Sequence, residues 1–192
     1  MNSALFTSKK EDWCTPESFI RLVESVAPIA FDPCWSKDAV FDPKMVLTKE
    51  DDALSADWLE YSVRPRMHKR LWGMRMNGRD YKPGLIYINP PYGREIISWI
   101  RKMSETWNEM YAFGWSMQMV SLLPARTDTK WFSLLCESAS QICFLRGRLR
   151  FVGAASSAPF PSMVAYWGDS SAFESVFSRK GNIMNLQHIT EL

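Results

Sequence analysis

The stretch Gly84-Leu85-Ile86-Tyr87-Ile88-Asn89-Pro90-Pro91-Tyr92-Gly93 runs a short apolar segment straight into an Asn, two prolines and a Tyr. Its first half, LIYI, is apolar on both faces, the pattern of a central strand covered by helices on either side. From Gly93 the period changes: Ile96, Ile100, Met103, Trp107, Met110 and Tyr111 recur at helical spacing, and Gly114 stands where a terminating residue belongs. A buried strand handing over to a helix is the unit of an α/β sheet. In an open parallel sheet ligands gather beyond the carboxyl ends of the strands, which is where Asn89 to Tyr92 are expected.

The flanking sequence extends this unit. Upstream, TPESFIRLVESV predicts a helix with Thr15 as cap, Pro16 in the first helical position, and Phe19, Leu22, Val23 and Val26 on one face. Pro28 ends it, IAFDPC reads as a short buried strand stopped by Pro33, KMVLT as another, and KEDDALSADW as an acidic turn. Downstream, MQMVSLLP is a buried strand, followed by a helix capped by Thr127 or Asp128 and carrying Trp131, Leu134 and Leu135. QICFLRGRLRF and SMVAYW read as strands, and SSAFESVFSRKG as a short surface helix. Alternating strands and helices predict a mainly parallel sheet between helix layers, with an antiparallel edge made by the two late strands.

Length and composition set the frame. At 192 residues the chain suits one domain spanning 1–192, large enough to bury roughly 70% of its unfolded surface without metal or disulfide staples. No apolar run reaches membrane-spanning length and the first twenty residues lack a signal-peptide core, so a cytoplasmic protein without membrane contact is expected. Four cysteines without Cys-x-x-Cys spacing and two distant histidines give no local metal motif. The net charge is only +2, yet Arg64, Arg66, Lys69, Arg70, Arg75, Arg79 and Lys82 stand against the single acid Asp80, leaving the remaining chain net negative. A basic insertion or loop at about 60–83 offers a surface for phosphates, and a solvated loop accounts for the same residues equally well.

The Asn-Pro-Pro-Tyr turn has a specific chemical capacity. Each proline fixes its own φ near −65° and holds the residue before it extended, and neither offers an N–H. The turn therefore presents acceptors, the Asn89 side-chain oxygen and the Pro90 carbonyl, with the Tyr92 ring beside them. Two acceptors match the two N–H donors of an exocyclic aromatic amine, and holding both draws the nitrogen toward tetrahedral geometry and frees its lone pair. A base inside a duplex is out of reach of such a turn and has to be extruded, at a cost of a few kcal/mol. Stacking on an aromatic such as Tyr92, worth roughly 1–3 kcal/mol, offsets part of that cost. A rigid loop covering a sheet end is the plainer explanation of the same tetrapeptide.

Taken in order, DWCTPESF, FDPC, DDALSADW, INPPYG, LLPARTDTKWF, GRLRF and PFPSMV resemble the motifs of the phage-type DNA N6-adenine methyltransferases, over roughly residues 12–167. The resemblance implies a Rossmann-like class I fold, S-adenosylmethionine as methyl donor, DNA as partner, a phage or prophage origin, and Asn89, Pro90, Pro91 and Tyr92 as the catalytic motif. It also implies a cofactor pocket from Trp13, Thr15 and Pro16, from Asp32, Pro33 and Cys34, and from Asp51, Asp52 and Leu54. No metal is expected. The chain departs from methyltransferases in general in lacking a Gly-rich turn after FDPCWS. Arg146, Arg148 and Arg150 alternate on an expected strand and, with Arg126, Lys130, Arg66 and Arg70, are candidate DNA contacts. In the basic segment Trp72 and Tyr81 suit either packing or stacking. Two alternatives stay open: methylation of the cytosine N4 amine, and a non-catalytic nucleic-acid-binding domain of the same fold.

Overall fold

The computed structural model describes residues 13–62, 84–113, 117–168 and 170–186. The chain alternates helices and strands: α1 (Glu17–Val26), β1 (Ile29–Asp32), β2 (Met45–Val46), a 3-10 turn (Lys49–Asp51), α2 (Trp58–Ser62) and β3 (Leu85–Ile88). Then follow α3 (Ile96–Ala112), β4 (Gln118–Pro124), α4 (Lys130–Ser138), β5 (Gln141–Leu145), β6 (Ser162–Trp167), α5 (Ser170–Phe177) and β7 (Gly181–Asn185). Seven strands form one sheet in the order β2-β1-β3-β4-β6-β5-β7. The first four run parallel, and the last three join through antiparallel pairs.

This is the expected Rossmann-like α/β architecture, with a parallel centre and an antiparallel edge. The edge is wider than the sequence suggested: GNIMN forms β7 against β5, a strand too polar for its pattern to announce. All four residues of β3 are buried because helices cover both faces, each such side chain contributing roughly 1.5–3 kcal/mol. On one face Ile86, Ile88, Met119 and Ala165 pack with Trp99, Ile100 and Met103 of α3 and Trp131 and Leu135 of α4. On the other, Leu85, Tyr87, Val120 and Leu122 pack with Phe19, Ile20 and Val23 of α1 and Phe173 and Phe177 of α5.

Several local expectations change. α1 starts one residue later than the Thr15 cap implied: the Pro16 carbonyl accepts from Phe19 and Ile20, and no side chain caps the helix. Trp99 belongs to the buried face of α3, whereas Tyr111 points outward at 77% exposure. The cap of α4 is Thr129, whose hydroxyl accepts from the Phe132 N–H, in place of Thr127 or Asp128. The acidic turn folds into the 3-10 turn and then α2, and Trp58 anchors it by donating its indole N–H to the Ala53 carbonyl at 2.7 Å. Gly114 and nearly all of the basic segment, including Arg66, Arg70, Trp72 and Tyr81, lie outside the described residues. Among the described residues no helix is long and apolar enough to cross a membrane.

The topology fixes where a site belongs. β1 leads outward to β2 and β3 leads the opposite way to β4, so the strand order reverses between β1 and β3. In open α/β sheets the crevice beyond the carboxyl ends at this reversal is where ligands bind.

Candidate active site

Two corners meet at the reversal. At the end of β3, Asn89 follows Leu85 and Tyr87 on the α1 face of the sheet, and the prolines stop the strand because neither can extend a ladder. Both hydrogens of the Asn89 amide are taken. Nδ2 donates to the Trp13 carbonyl at 2.5 Å and to the Thr15 hydroxyl at 3.0 Å. The amide oxygen accepts from the Tyr92 hydroxyl at 2.7 Å, and that hydroxyl also reaches the Leu122 carbonyl at 3.2 Å. Thr15 in turn exchanges a 2.7 Å hydrogen bond with the Tyr87 hydroxyl. One hydrogen-bonded chain thus joins the segment before α1, two positions of the β3 segment, the proline turn and β4.

Burial gives this chain its stiffness. Thr15 and Tyr87 are 5% and 1% exposed, while Asn89, Pro91 and Tyr92 are half-buried and Pro90 is buried. Burial, opposed only in part by the Thr15 hydrogen bond, pushes the Tyr87 hydroxyl pKa well up, and burial does the same to Tyr92. Both phenols therefore stay protonated and act as hydrogen-bonding groups. The Tyr92 ring meets Phe151 and Phe160 edge-on, with centroids 6.3 and 5.5 Å away, and Trp13 packs on the same two rings at 5.0 and 5.6 Å. In this arrangement Tyr92 closes an aromatic wall.

The second corner lies at the end of β1. Asp32 is 3% exposed, and its carboxylate accepts the Cys34 N–H at 2.7 Å across Pro33. Burial lifts its pKa from 3.8 to about 7, the hydrogen bond from Cys34 offsetting only part of the desolvation. Cys34 adjoins the Asn89 backbone N–H, which brings the two strand ends into contact, and burial with the nearby Asp32 pushes its thiol up. At the neighbouring end of β2, Asp51 accepts both the N–H and the hydroxyl of Thr48, at 2.8 and 2.7 Å. These bonds lower its pKa and give it a capping role. Asp52 follows in the left-handed region at φ 43°, exposed, and Leu54 packs on the core.

The donors and acceptors suit a particular kind of ligand. Acids stand after β1 and β2, neither strand end carries a Gly-rich turn, and the Cys34 and Trp35 N–H groups are spent on Asp32 and the Leu47 carbonyl. The acids disfavour a phosphate there through like charge. A phosphate-free molecule with hydroxyls and cationic groups matches the acids; the Trp13 indole N–H is buried without a hydrogen-bond partner among the described residues. The residues present fit S-adenosylmethionine by this chemistry. Pro16 stays apart from the contacts, serving as the residue from which α1 starts.

The basic candidates are redistributed. β5 ends at Leu145, and Gly147 at φ 76° turns the chain away, so Arg146, Arg148 and Arg150 do not line one face of a strand as the alternation predicted. They are exposed on the loop between β5 and β6, where Arg148 donates to the Ala158 carbonyl at 3.3 Å and Arg150 to the Ala154 carbonyl at 3.1 Å. Because β5 runs in the same direction as β4, this loop and the exposed Arg126 and Lys130 after β4 emerge on the same edge of the sheet as Asn89. The Val152 N–H donates to the Cys14 carbonyl and ties the loop to the segment that carries Trp13 and Thr15.

A sequence profile of the family described as DNA N-6-adenine-methyltransferase (Dam) matches residues 2–165. The chain belongs to that family. No curated protein matches it closely enough to name a relative. The match to the Dam family spans both corners and the loop carrying Arg148 and Arg150. Sequence reasoning missed one member of the β3 corner, the Tyr87 hydroxyl. A Tyr inside an otherwise aliphatic buried strand was the available signal, since a buried phenol needs a hydrogen-bond partner.

Proposed function

We propose that the protein transfers a methyl group from S-adenosylmethionine to the N6 amine of adenine in DNA, with the Asn89–Tyr92 turn as the catalytic motif. When bound, S-adenosylmethionine would supply an electrophilic sulfonium methyl. Asn89 and the Pro90 carbonyl would hold the two amine hydrogens, so that the nitrogen lone pair is free to accept that methyl. The nitrogen then releases a proton to solvent. Methylation of nitrogen makes it acidic, and the turn itself presents no base: Tyr87 and Tyr92 are protonated phenols.

The supporting observation is the bonding of the Asn89 amide. Its nitrogen is fully engaged on the protein side, so its oxygen, with one lone pair on Tyr92 and one left over, is the acceptor offered outward. Asp32, Asp51 and Asp52 favour the hydroxyls and cationic end of the cofactor, with Pro33, Cys34 and Leu54 as their neighbours and Trp13 reaching the site from the segment before α1. Arg126, Arg146, Arg148 and Arg150 contact the DNA backbone from the surrounding loops, and Lys130 from the start of α4. A phage or prophage origin and a host-cytoplasm location follow the resemblance of the motifs.

The test is nucleoside analysis of DNA incubated with the protein and S-adenosylmethionine. N6-methyladenine is the expected product; N4-methylcytosine assigns the same turn to the other amine. No methylated base, together with no thermal shift on adding S-adenosylmethionine, leaves the non-catalytic binding domain.

A further inference from the structure

We infer that Thr15, itself held by Tyr87, is a positioning residue that fixes the Asn89 amide with its oxygen toward the substrate amine. An asparagine side chain has two orientations that differ only in exchanging its oxygen and nitrogen, and only one presents an acceptor to an incoming N–H. Here the choice is set by one partner that cannot be reversed, and two hydroxyls hold the amide in the orientation it sets. The Trp13 carbonyl is an acceptor only, so a flipped amide would set two oxygens against each other. Thr15 takes the second amide hydrogen, and its hydroxyl is anchored on its far side by Tyr87. The Tyr92 hydroxyl, donating to Asn89 Oδ1, fixes the opposite end.

Thr15 suits this work better than the cofactor contact assigned to it by resemblance. Its hydroxyl is committed on two sides, at 5% exposure, to groups that are 72 and 74 residues away in sequence. A buried phenol at Tyr87, on a strand covered on both faces, is a costly way to hold one threonine unless the orientation of that threonine matters. The pair also explains why α1 begins at Pro16 without a side-chain cap: the threonine suited to capping is turned toward the sheet.

The inference rests on Asn89 being the acceptor for the amine, and the experiment separates the two ideas. Thr15→Val keeps the branched shape and removes the hydroxyl. Turnover should fall roughly tenfold, the worth of one neutral hydrogen bond, while the Kd for S-adenosylmethionine and the KM for DNA stay within about twofold. Thr15→Ser should recover most of the loss, and Tyr87→Phe, which preserves the ring, should show a smaller loss of the same kind. Loss of cofactor affinity matching the loss of turnover, or unchanged turnover, overturns the inference. Exchange of the Asn89 side-chain amide hydrogens, followed by NMR, needs no catalysis: it should be slow in the wild type and in Thr15→Ser, and roughly tenfold faster in Thr15→Val. Unchanged exchange in Thr15→Val sinks the positioning role even in an active enzyme. Accelerated exchange in a protein that methylates nothing upholds the positioning role and sinks the functional reading.

Discussion

The ends of β1 and β3 lie side by side, yet they are built on opposite principles. At β3 the polar side chains of the corner are bonded to groups of the same chain: the Asn89 amide to Trp13, Thr15 and Tyr92, and the Tyr87 phenol to Thr15. At β1 a carboxyl sits at 3% exposure with its local Cys34 N–H, and burial raises its pKa to about 7. A corner already satisfied internally is rigid, which is what holding a reacting nitrogen in one geometry requires. A buried acid poised near neutrality responds instead to what is placed beside it, and a cation there draws it to its ionised form.

The largest effect should come from Asn89→Asp. The substitution retains an acceptor oxygen, so on acceptor chemistry alone it should be harmless. The bonding at the β3 corner says otherwise, because the second carboxylate oxygen replaces Nδ2 against the Trp13 carbonyl. Transfer at neutral pH should drop on the order of 10²-fold, as when one preorganised catalytic dipole is lost. Near wild-type turnover in the Asn89→Asp enzyme would mean that the corner does not enforce its geometry.

A smaller effect should mark the β1 corner. Asp32 binds its proton more tightly in the folded chain than in the unfolded one, where its pKa is near the ordinary 3.8. Its contribution to stability is therefore full below about pH 4 and is lost as pH rises through about 7, by a few kcal/mol at most. Asp32→Asn should remove that part of the slope, read as a flatter dependence of the urea midpoint on pH. An identical slope in the variant would mean that Asp32 is already ionised when buried. Away from both corners, Arg148→Ala and Arg150→Ala should each weaken DNA binding only severalfold and lower the salt slope by about one. Binding titrations over a range of salt would show it, and a specific loss of turnover with unchanged affinity would move these loop residues into the reacting geometry.

Much of this arrangement was legible in the sequence because it follows from short-range rules. The LIYI run announced a doubly covered strand, the change of period after Gly93 announced α3, and the two prolines announced a stiff strand end at the place where sheets bind ligands. What stayed hidden depended on partners far along the chain. Thr15 before Pro16 has the composition of a helix cap, and only the fold brings Tyr87 and Asn89 to it. Alternating Arg146, Arg148 and Arg150 look like a strand face, but Gly147 in the left-handed region ends β5 before them. β7 is stabilised by pairing with β5 rather than by its own pattern, so its sequence carries little sign of it.

The central claim, that the β3 corner acts on the amine and not on the cofactor, is tested most directly by Asn89→Ala. Equilibrium titration with S-adenosylmethionine should give a Kd within about twofold of the wild type, while transfer to DNA adenine falls by at least about 10²-fold. Loss of cofactor binding in step with loss of transfer would make Asn89 a structural residue and contradict the account.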